Sequence, residues 1–216
     1  MTTATPERYH HGDLPNALRR AAVEVIDERG VGGFSLREVA RRAGVSHTAP
    51  AHHFGDTKGL FTSLAQEGFE RLQAVCEAAA AEHDRPFDQL VAIGQAYVAL
   101  GSTNHAHLEV MFRTDIVDTD DAGLMHCGLE AYGVLERTVR ALVESERLAT
   151  DVDDAAWLCW SAMQGLVTLS PKFARISALH GGDASPVDEL VLRFTRLMVD
   201  GIRGAMPHDP VPTTTR

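Results

Sequence analysis

The three thiols are the most reactive side chains in this sequence. Cys76, Cys127 and Cys159 are odd in number, lie far apart and form no Cys-x-x-Cys pair. A disulfide framework needs an even set and a structural metal site needs close pairs, so the pattern favours reduced thiols that pack as small apolar side chains. It is typical of a cytoplasmic protein, with a redox-sensing thiol as the alternative.

Histidine is the second candidate for chemistry, and the chain has 11 of them. His105, His107 and His126 could form a metal site, but a His-x-His pair at a helix start is a weak motif, and we expect a surface or capping role for His105. The sequence holds no nucleophile paired with a base and no glycine-rich phosphate loop. It therefore predicts no enzyme, no cofactor and no metal, and it favours binding over catalysis.

Charge is divided unevenly along the chain. The net charge is -10, yet residues 1–58 carry 8 Lys and Arg against 7 Asp and Glu, whereas residues 59–216 carry 12 against 23. Because an acidic surface repels phosphate, any contact with nucleic acid should lie in the first 58 residues. The N-terminus has no apolar signal segment, and the most apolar stretch, 155–169, is too short to cross a membrane.

Hydrophobic spacing predicts that helices, and no strands, position these residues. A first helix begins near Leu14 and ends at Gly30, since Leu18, Ala22 and Val25 recur at helical intervals. The fold class is thus all-α, with about nine helices in total. The tail over 207–216 is rich in Pro and Thr and is expected to be disordered. Beyond the head, helices are predicted over 58–82, 86–102, 105–113, 122–147, 153–179 and 185–205.

Two short helices joined by a tight turn follow the first helix. Ser35 and Glu38 have the spacing of a capping box, in which each side chain satisfies a backbone N–H near the other. Gly44 should supply the positive φ of the turn, and Ser46 should cap a third helix over 47–54. This is the helix-turn-helix pattern, whose second helix enters the major groove of DNA.

The region around this pattern resembles the DNA-binding head of TetR/AcrR-type repressors. The resemblance spans residues 9–70 and implies a DNA-binding domain over 9–57 and a helical domain over 58–206 that binds a ligand and dimerises. It rests on Tyr9-His10-His11-Gly12-Asp13-Leu14, on Ser35-Leu36-Arg37-Glu38-Val39-Ala40-Arg41-Arg42-Ala43-Gly44-Val45-Ser46, and on His52-His53-Phe54 followed by Leu60.

The resemblance implies which residues read the DNA bases. The recognition helix would present His47, Thr48, Ala49 and His52 to base edges, and the methyl groups of Thr48 and Ala49 suit a thymine methyl. A helix spacer is the alternative role for Ala49. Adjacent helical residues point about 100° apart, so we predict that His52 faces the bases and His53 a phosphate.

The expected contacts with the DNA backbone depart from the family pattern. Arg37 should reach a phosphate, with a solvated surface position as its alternative. Ser46, which precedes the recognition helix, is also expected to contact the DNA. Many family members have an aromatic phosphate contact where this chain has Ala51. The lysine, Lys58, stands one place late, so either Thr57 takes the phosphate or the fourth helix begins elsewhere.

The C-terminal part resembles the type of regulatory domain that carries a Trp-His-Gly element. The matching run is Trp160-Ser161-Ala162-Met163-Gln164-Gly165, in which Gln164 replaces the histidine and cannot titrate. A small-molecule pocket among the middle helices is expected, and an ordinary core position is the alternative for each candidate residue. The candidates are Met111, Phe112, His126, Tyr132, Trp157, Trp160 and Gln164.

The last two long helices carry more apolar surface than a small monomer core requires. In the family, these helices pair with their two-fold mates in a homodimer, which presents two heads to a palindromic double-stranded DNA operator. The predicted interface residues are Met163, Val167, Phe194, Leu197 and Met198.

The predicted function is that of a sequence-specific DNA-binding transcriptional regulator. We expect a repressor that a small-molecule ligand releases from its operator, with an activator as the alternative within this class. An architectural DNA-binding or protein-interaction module that senses no ligand is the alternative outside it. Such a module would bind DNA without sequence preference.

Overall fold

The structure, a computed structural model, describes residues 14–179 and 186–204, except for the side chains of 170–179. These residues form nine α-helices, one 3-10 turn at Val31–Gly33 and no strand, which confirms the predicted all-α class. The expected tail over 207–216 and most of the lead-in over 9–14 lie outside the described residues. The helices are α1 (Leu14–Arg29), α2 (Leu36–Arg42), α3 (Ala49–Phe54), α4 (Thr57–Ala81), α5 (Pro86–Thr103), α6 (His105–Met111), α7 (Ala122–Glu146), α8 (Val152–Leu179) and α9 (Val187–Gly204).

The described residues divide into two units, and the boundary falls inside α4 after Gly68. The first unit holds residues 14–68 and 105–125, so it includes α6 and the loop that follows it. This division differs from the predicted boundary at 57/58, because α6 packs against α1 and buries Ala106 and Val110. The core of this unit also contains the fully buried Leu18, Val39 and Leu60.

The second unit holds residues 69–104, 126–179 and 186–204. In it, α5 packs against α8 and α9, which also pack against each other. Its core cluster includes the buried side chains of Leu90, Val139, Leu142, Ala156 and Val199. No helix among the residues that the structure describes is both long enough and apolar enough to cross a bilayer.

Candidate functional site

A tight turn joins α2 to α3. Gly44 lies at φ +67°, a conformation that L side chains rarely adopt, and this confirms the predicted role of this glycine. The backbone N–H of Val45 donates to the carbonyl of Ala40 at 3.0 Å, and that of Ala43 donates to Val39 at 2.9 Å. The turn therefore satisfies the last carbonyls of α2 and sets the direction in which α3 leaves it.

The recognition helix begins later than the sequence pattern predicts. α3 runs from Ala49 to Phe54, with Thr48 at the N-cap position, so the predicted start at 47 and the predicted cap at Ser46 are wrong. Pro50 is the reason, because proline is tolerated only in the first turn of a helix, and here its ring is buried. The Ser46 hydroxyl lies 3.2 Å from the Thr48 hydroxyl, so the two side chains bond to each other.

The outward face of α3 and of the turn before it carries hydrogen-bonding side chains. His47, Thr48, His52 and His53 are exposed, while Ala49 is half-buried. The rings of His52 and His53 lie edge to face, with their centroids 5.5 Å apart. This short helix thus presents imidazole and hydroxyl groups side by side and carries no lysine or arginine.

Two of the three arginines of α2 are paired with a carboxylate of the described chain, and the third is not. Glu38 accepts hydrogen bonds from Arg41 Nε at 2.8 Å and from Arg42 Nε at 3.0 Å, and these bonds lower the pKa of Glu38 to about 2. The predicted capping box is wrong, because Ser35 makes no side-chain cap bond and Glu38 faces the arginines instead. Arg37 is exposed and makes no ion pair with any described residue, so it is available to an anion.

The N-terminus of α4 is capped by the side chain that precedes it. Asp56 accepts the backbone N–H of Gly59 at 2.9 Å, and Thr57 is the first helical residue. A Cβ at Gly59 would lie 2.0 Å from the carbonyl oxygen of Phe54, so only glycine fits there. The carboxylate of Asp56 therefore accepts the hydrogen bond from the Gly59 N–H that a phosphate could otherwise accept at this helix N-terminus.

Lys58 faces a partner that the sequence did not indicate. Its Nζ lies 3.3 Å from Asp118 Oδ1, across sixty positions of sequence. The backbone N–H of Asp118 donates to Thr62 Oγ1 at 2.8 Å, and that hydroxyl donates to the Lys58 carbonyl at 2.8 Å. The lysine predicted to contact a phosphate is thus paired inside the first unit, while Thr57 lies one residue nearer to α3.

Two further contacts attach α6 and the segment after it to α4. Gln66 Nε2 donates to Asp121 Oδ1 at 2.7 Å, and the same oxygen accepts the backbone N–H of Leu124 at 2.8 Å. The buried His107 has its Nε2 3.8 Å from Glu67 Oε2. His105 is exposed instead, and no group of three or more His, Cys, Asp and Glu side chains in the described parts of the chain is arranged to hold a metal.

A cavity of about 60 Å³ lies within the second unit, among α4, α5, α7, α8 and α9. Two of the predicted pocket residues, Tyr132 and Trp160, line it. Gln164 accepts a hydrogen bond from the hydroxyl of Tyr97, which also lines the cavity. Sequence analysis did not single out Tyr97 because its apolar neighbours in α5 give it the pattern of an ordinary core position.

The other predicted pocket residues lie elsewhere. Met111 and Phe112 belong to the first unit, and His126 is exposed at the start of the second. Trp157 is 57% exposed, although its ring stacks on that of Trp160 with centroids 5.3 Å apart. The structure therefore brings together only part of the predicted set.

The predicted interface residues are distributed between interior and surface. Met163 is buried and, with Met198, lines the cavity. Val167 and Phe194 are half-buried, and Leu197 is 68% exposed. Of the five, Leu197 is the one most available to a second molecule.

This chain is a helix-turn-helix protein, because a glycine turn joins α2 to the exposed helix α3 and α1 supports both. A family model described as bacterial regulatory proteins, tetR family, matches residues 18–64, and a model described as the tetracyclin repressor-like C-terminal domain matches residues 90–175. The chain belongs to the tetR family of bacterial regulatory proteins.

Individual relatives agree with this placement. The HTH-type transcriptional regulator BetI from Stenotrophomonas maltophilia (strain R551-3) is 38% identical over 77 residues, which are 35% of this chain and 39% of that relative. The chain thus matches well under half the length of BetI.

Solved structures extend the likeness to the whole fold. A protein with unknown function from Rhodococcus sp. RHA1 is 29% identical, with a TM-score of 0.75 over 91% of this chain and 99% of that one. A bacterial regulatory protein in the tetR family from Rhodococcus RHA1 is 21% identical, with a TM-score of 0.71 over 90% and 100% of the two chains. The second likeness shows the fold alone.

Proposed function

We propose that this chain is a sequence-specific DNA-binding transcriptional regulator, and specifically a repressor. The observation that carries the proposal is the exposed surface formed by His47 and Thr48, in the turn before α3, and by His52 on α3 itself. Gly44 and Pro50 set where this helix begins. These side chains can hydrogen-bond to base edges in the major groove. Hydrogen bonds to base edges carry the sequence information, whereas contacts with phosphate fix the register of the protein on the duplex.

The proposal assigns phosphate contacts to the flanks of this face. Arg37 at the start of α2 and Thr57 at the start of α4 lie on either side of α3 in sequence, and Arg37 is not committed to an ion pair within the described residues. His53 is assigned to a phosphate as well. Because few cations take part, the salt dependence of binding should be shallow for a repressor.

The second unit is proposed to dimerise and to bind the releasing ligand. A homodimer places two heads on the two halves of a palindromic operator, and a ligand that prefers the non-binding state lowers occupancy. The free thiols Cys76 and Cys159 are buried and suit the reducing cytoplasm, where operator DNA is found. No catalytic step is part of this function.

The test is footprinting of the purified chain on the DNA upstream of its own gene, followed by titration of the protected fragment. His52→Ala should lower affinity for that fragment by about tenfold and leave affinity for unrelated DNA nearly unchanged. His83→Ala is the matched control, because His83 is also exposed but lies between α4 and α5.

Two results would overturn the proposal. One is the absence of any protected site in the upstream region or elsewhere in genomic fragments. The other is equal competition by unrelated DNA at fixed salt, which would favour an architectural module.

A further inference from the structure

The described walls of the cavity in the second unit carry no side chain that is charged near neutral pH. Among the described residues, its lining is made of aliphatic, aromatic, glycine, threonine and cysteine side chains, with no Asp, Glu, Lys, Arg or His. A charged group moved into such a site would lose its hydration and gain no counter-charge, so its binding there is strongly disfavoured. The cavity therefore selects against ions of either sign.

The polar groups of the wall are themselves neutral. Tyr97, Cys76 and Cys159 are buried, and burial raises the pKa of Tyr97 and of Cys76 to about 12 and the pKa of Cys159 to about 11. All three groups therefore stay protonated near neutral pH. The Cys76 thiol faces the carbonyl oxygen of Ile93 at 3.9 Å, so it is already directed to the backbone.

Tyr97 is the group that can recognise a ligand. Its hydroxyl donates its proton to Gln164 Oε1, and the indole N–H of Trp160 lies 3.4 Å from the same hydroxyl oxygen. A hydroxyl oxygen has two acceptor lone pairs, so one more donor can be bound there. Because an amide does not titrate, Gln164 holds the tyrosine proton in the same direction at any ordinary pH.

We propose that this cavity binds an uncharged, mainly apolar molecule of about the size of a phenol, which carries one hydroxyl or amide donor directed at Tyr97 Oη. The volume of about 60 Å³ has room for roughly four to six water-sized groups, which matches one small ring with a substituent. The rings of Phe69, Tyr132 and Trp160 in the wall suit an aromatic or alicyclic body. The inference rests on the proposed function, since it gives the chemical class of the releasing ligand.

The experiment is calorimetric titration of the full chain, without DNA, with four probes that share a methyl-substituted benzene ring. These are 4-methylphenol, toluene, 4-methylbenzoate and 4-methylbenzylammonium. We expect 4-methylphenol to bind tightest, toluene about tenfold more weakly for lack of the hydrogen bond, and neither ion to bind measurably.

Four variants, two of which are controls, connect this selectivity to the cavity. Tyr97→Phe should weaken the binding of 4-methylphenol by about fivefold and leave the binding of toluene unchanged. Tyr132→Phe removes a hydroxyl from the same wall and is the matched control, so it should change the affinity for neither probe. Gly128→Leu should abolish binding of both neutral probes, because a Cβ at Gly128 meets no atom within 4 Å and the side chain can fill the space. Gly128→Ala is its control for folding.

The outcomes separate this inference from the proposed function. Tighter binding of either ion, no binding of any probe, or unchanged binding by Gly128→Leu would each overturn the inference, while a footprint would still support the regulator. If the neutral probes bind as expected but the chain protects no operator, the inferred ligand chemistry is supported and the proposed regulatory function is refuted.

Discussion

Lys58, which the sequence predicted to contact a phosphate, is paired with Asp118. Its ammonium group and the Asp118 carboxylate are each about half exposed, 52% and 50%, so water and salt screen their attraction. Exposed pairs of this kind contribute at most about 1 kcal/mol to stability. A phosphate can therefore compete with Asp118 for this lysine at little cost to the fold.

Replacing Asp118 by Asn should strengthen DNA binding. The freed lysine can contact a phosphate, so affinity should rise by up to about tenfold at low salt and the slope of log K against log salt should steepen by about one unit. The measurement is a titration of operator DNA between low and moderate salt. Asp120→Asn controls for the change in net charge, since Asp120 is exposed in the same loop. Equal slopes in the two variants would refute this role for Asp118.

At the scale of the helix, α2 is held by a carboxylate shared between two arginines. Glu38 bonds to Arg41 and Arg42, and Arg42 also bonds to Glu28 of α1 through Nη1 at 2.9 Å. The cluster therefore joins α2 to the helix that supports it. It also pairs two arginines that could otherwise bind phosphate, which leaves Arg37 as the arginine of this helix that makes no ion pair with a described residue.

The Glu38 cluster should make the stability of the head depend on acid. Since the pKa of Glu38 falls from an ordinary value of 4.5 to about 2 in the fold, its contribution is complete above pH 5 and is lost as the pH falls from about 4.5 towards 2. In urea unfolding, Glu38→Gln should be less stable than the parent at pH 7, and the difference should shrink at pH 3. Glu130→Gln, at an exposed position of α7, should show no such convergence. A difference that stays constant with pH would contradict this role of Glu38.

At the scale of the whole molecule, apolar side chains remain on the surface of α8 and α9. Leu158, Leu169 and Leu197 are exposed, and Leu197 is the most exposed of them. An exposed apolar surface on the two helices that pair in the family dimer favours a second copy of this chain as its partner. The interior position of Met163 moves the proposed interface outward, towards these leucines.

Leu197→Glu should therefore weaken the dimer by at least about tenfold, because it places a charge in a desolvated contact. Sedimentation at micromolar concentration should show a shift to monomer, and operator affinity should fall with it, since one head holds only one half-site. Leu129→Glu is the matched control, because Leu129 is 65% exposed but lies on α7. Equal sedimentation of the parent and the Leu197 variant would exclude this interface.

Local patterns in the sequence were enough to predict the order of the helices and the turn at Gly44. Helical periodicity and glycine conformation depend on neighbours in the chain, so the predicted 122–147 and 86–102 lie within one residue of the observed α7 and α5. The contacts between side chains could be identified only from the folded structure. Asp118 reaches Lys58 from sixty positions away, and Glu38 turns to Arg41 and Arg42 rather than to the backbone near Ser35.

The residues that line the cavity also could not be predicted from local sequence patterns. Trp157 and Trp160 lie three residues apart on one helix and have the same chemistry, yet one is exposed and the other lines the cavity with Tyr97. Periodicity places both on one side of α8, but the approach of α4, α5 and α9 decides which ring is covered. Contacts between distant segments depend on how helices pack, and no local pattern in the sequence records that.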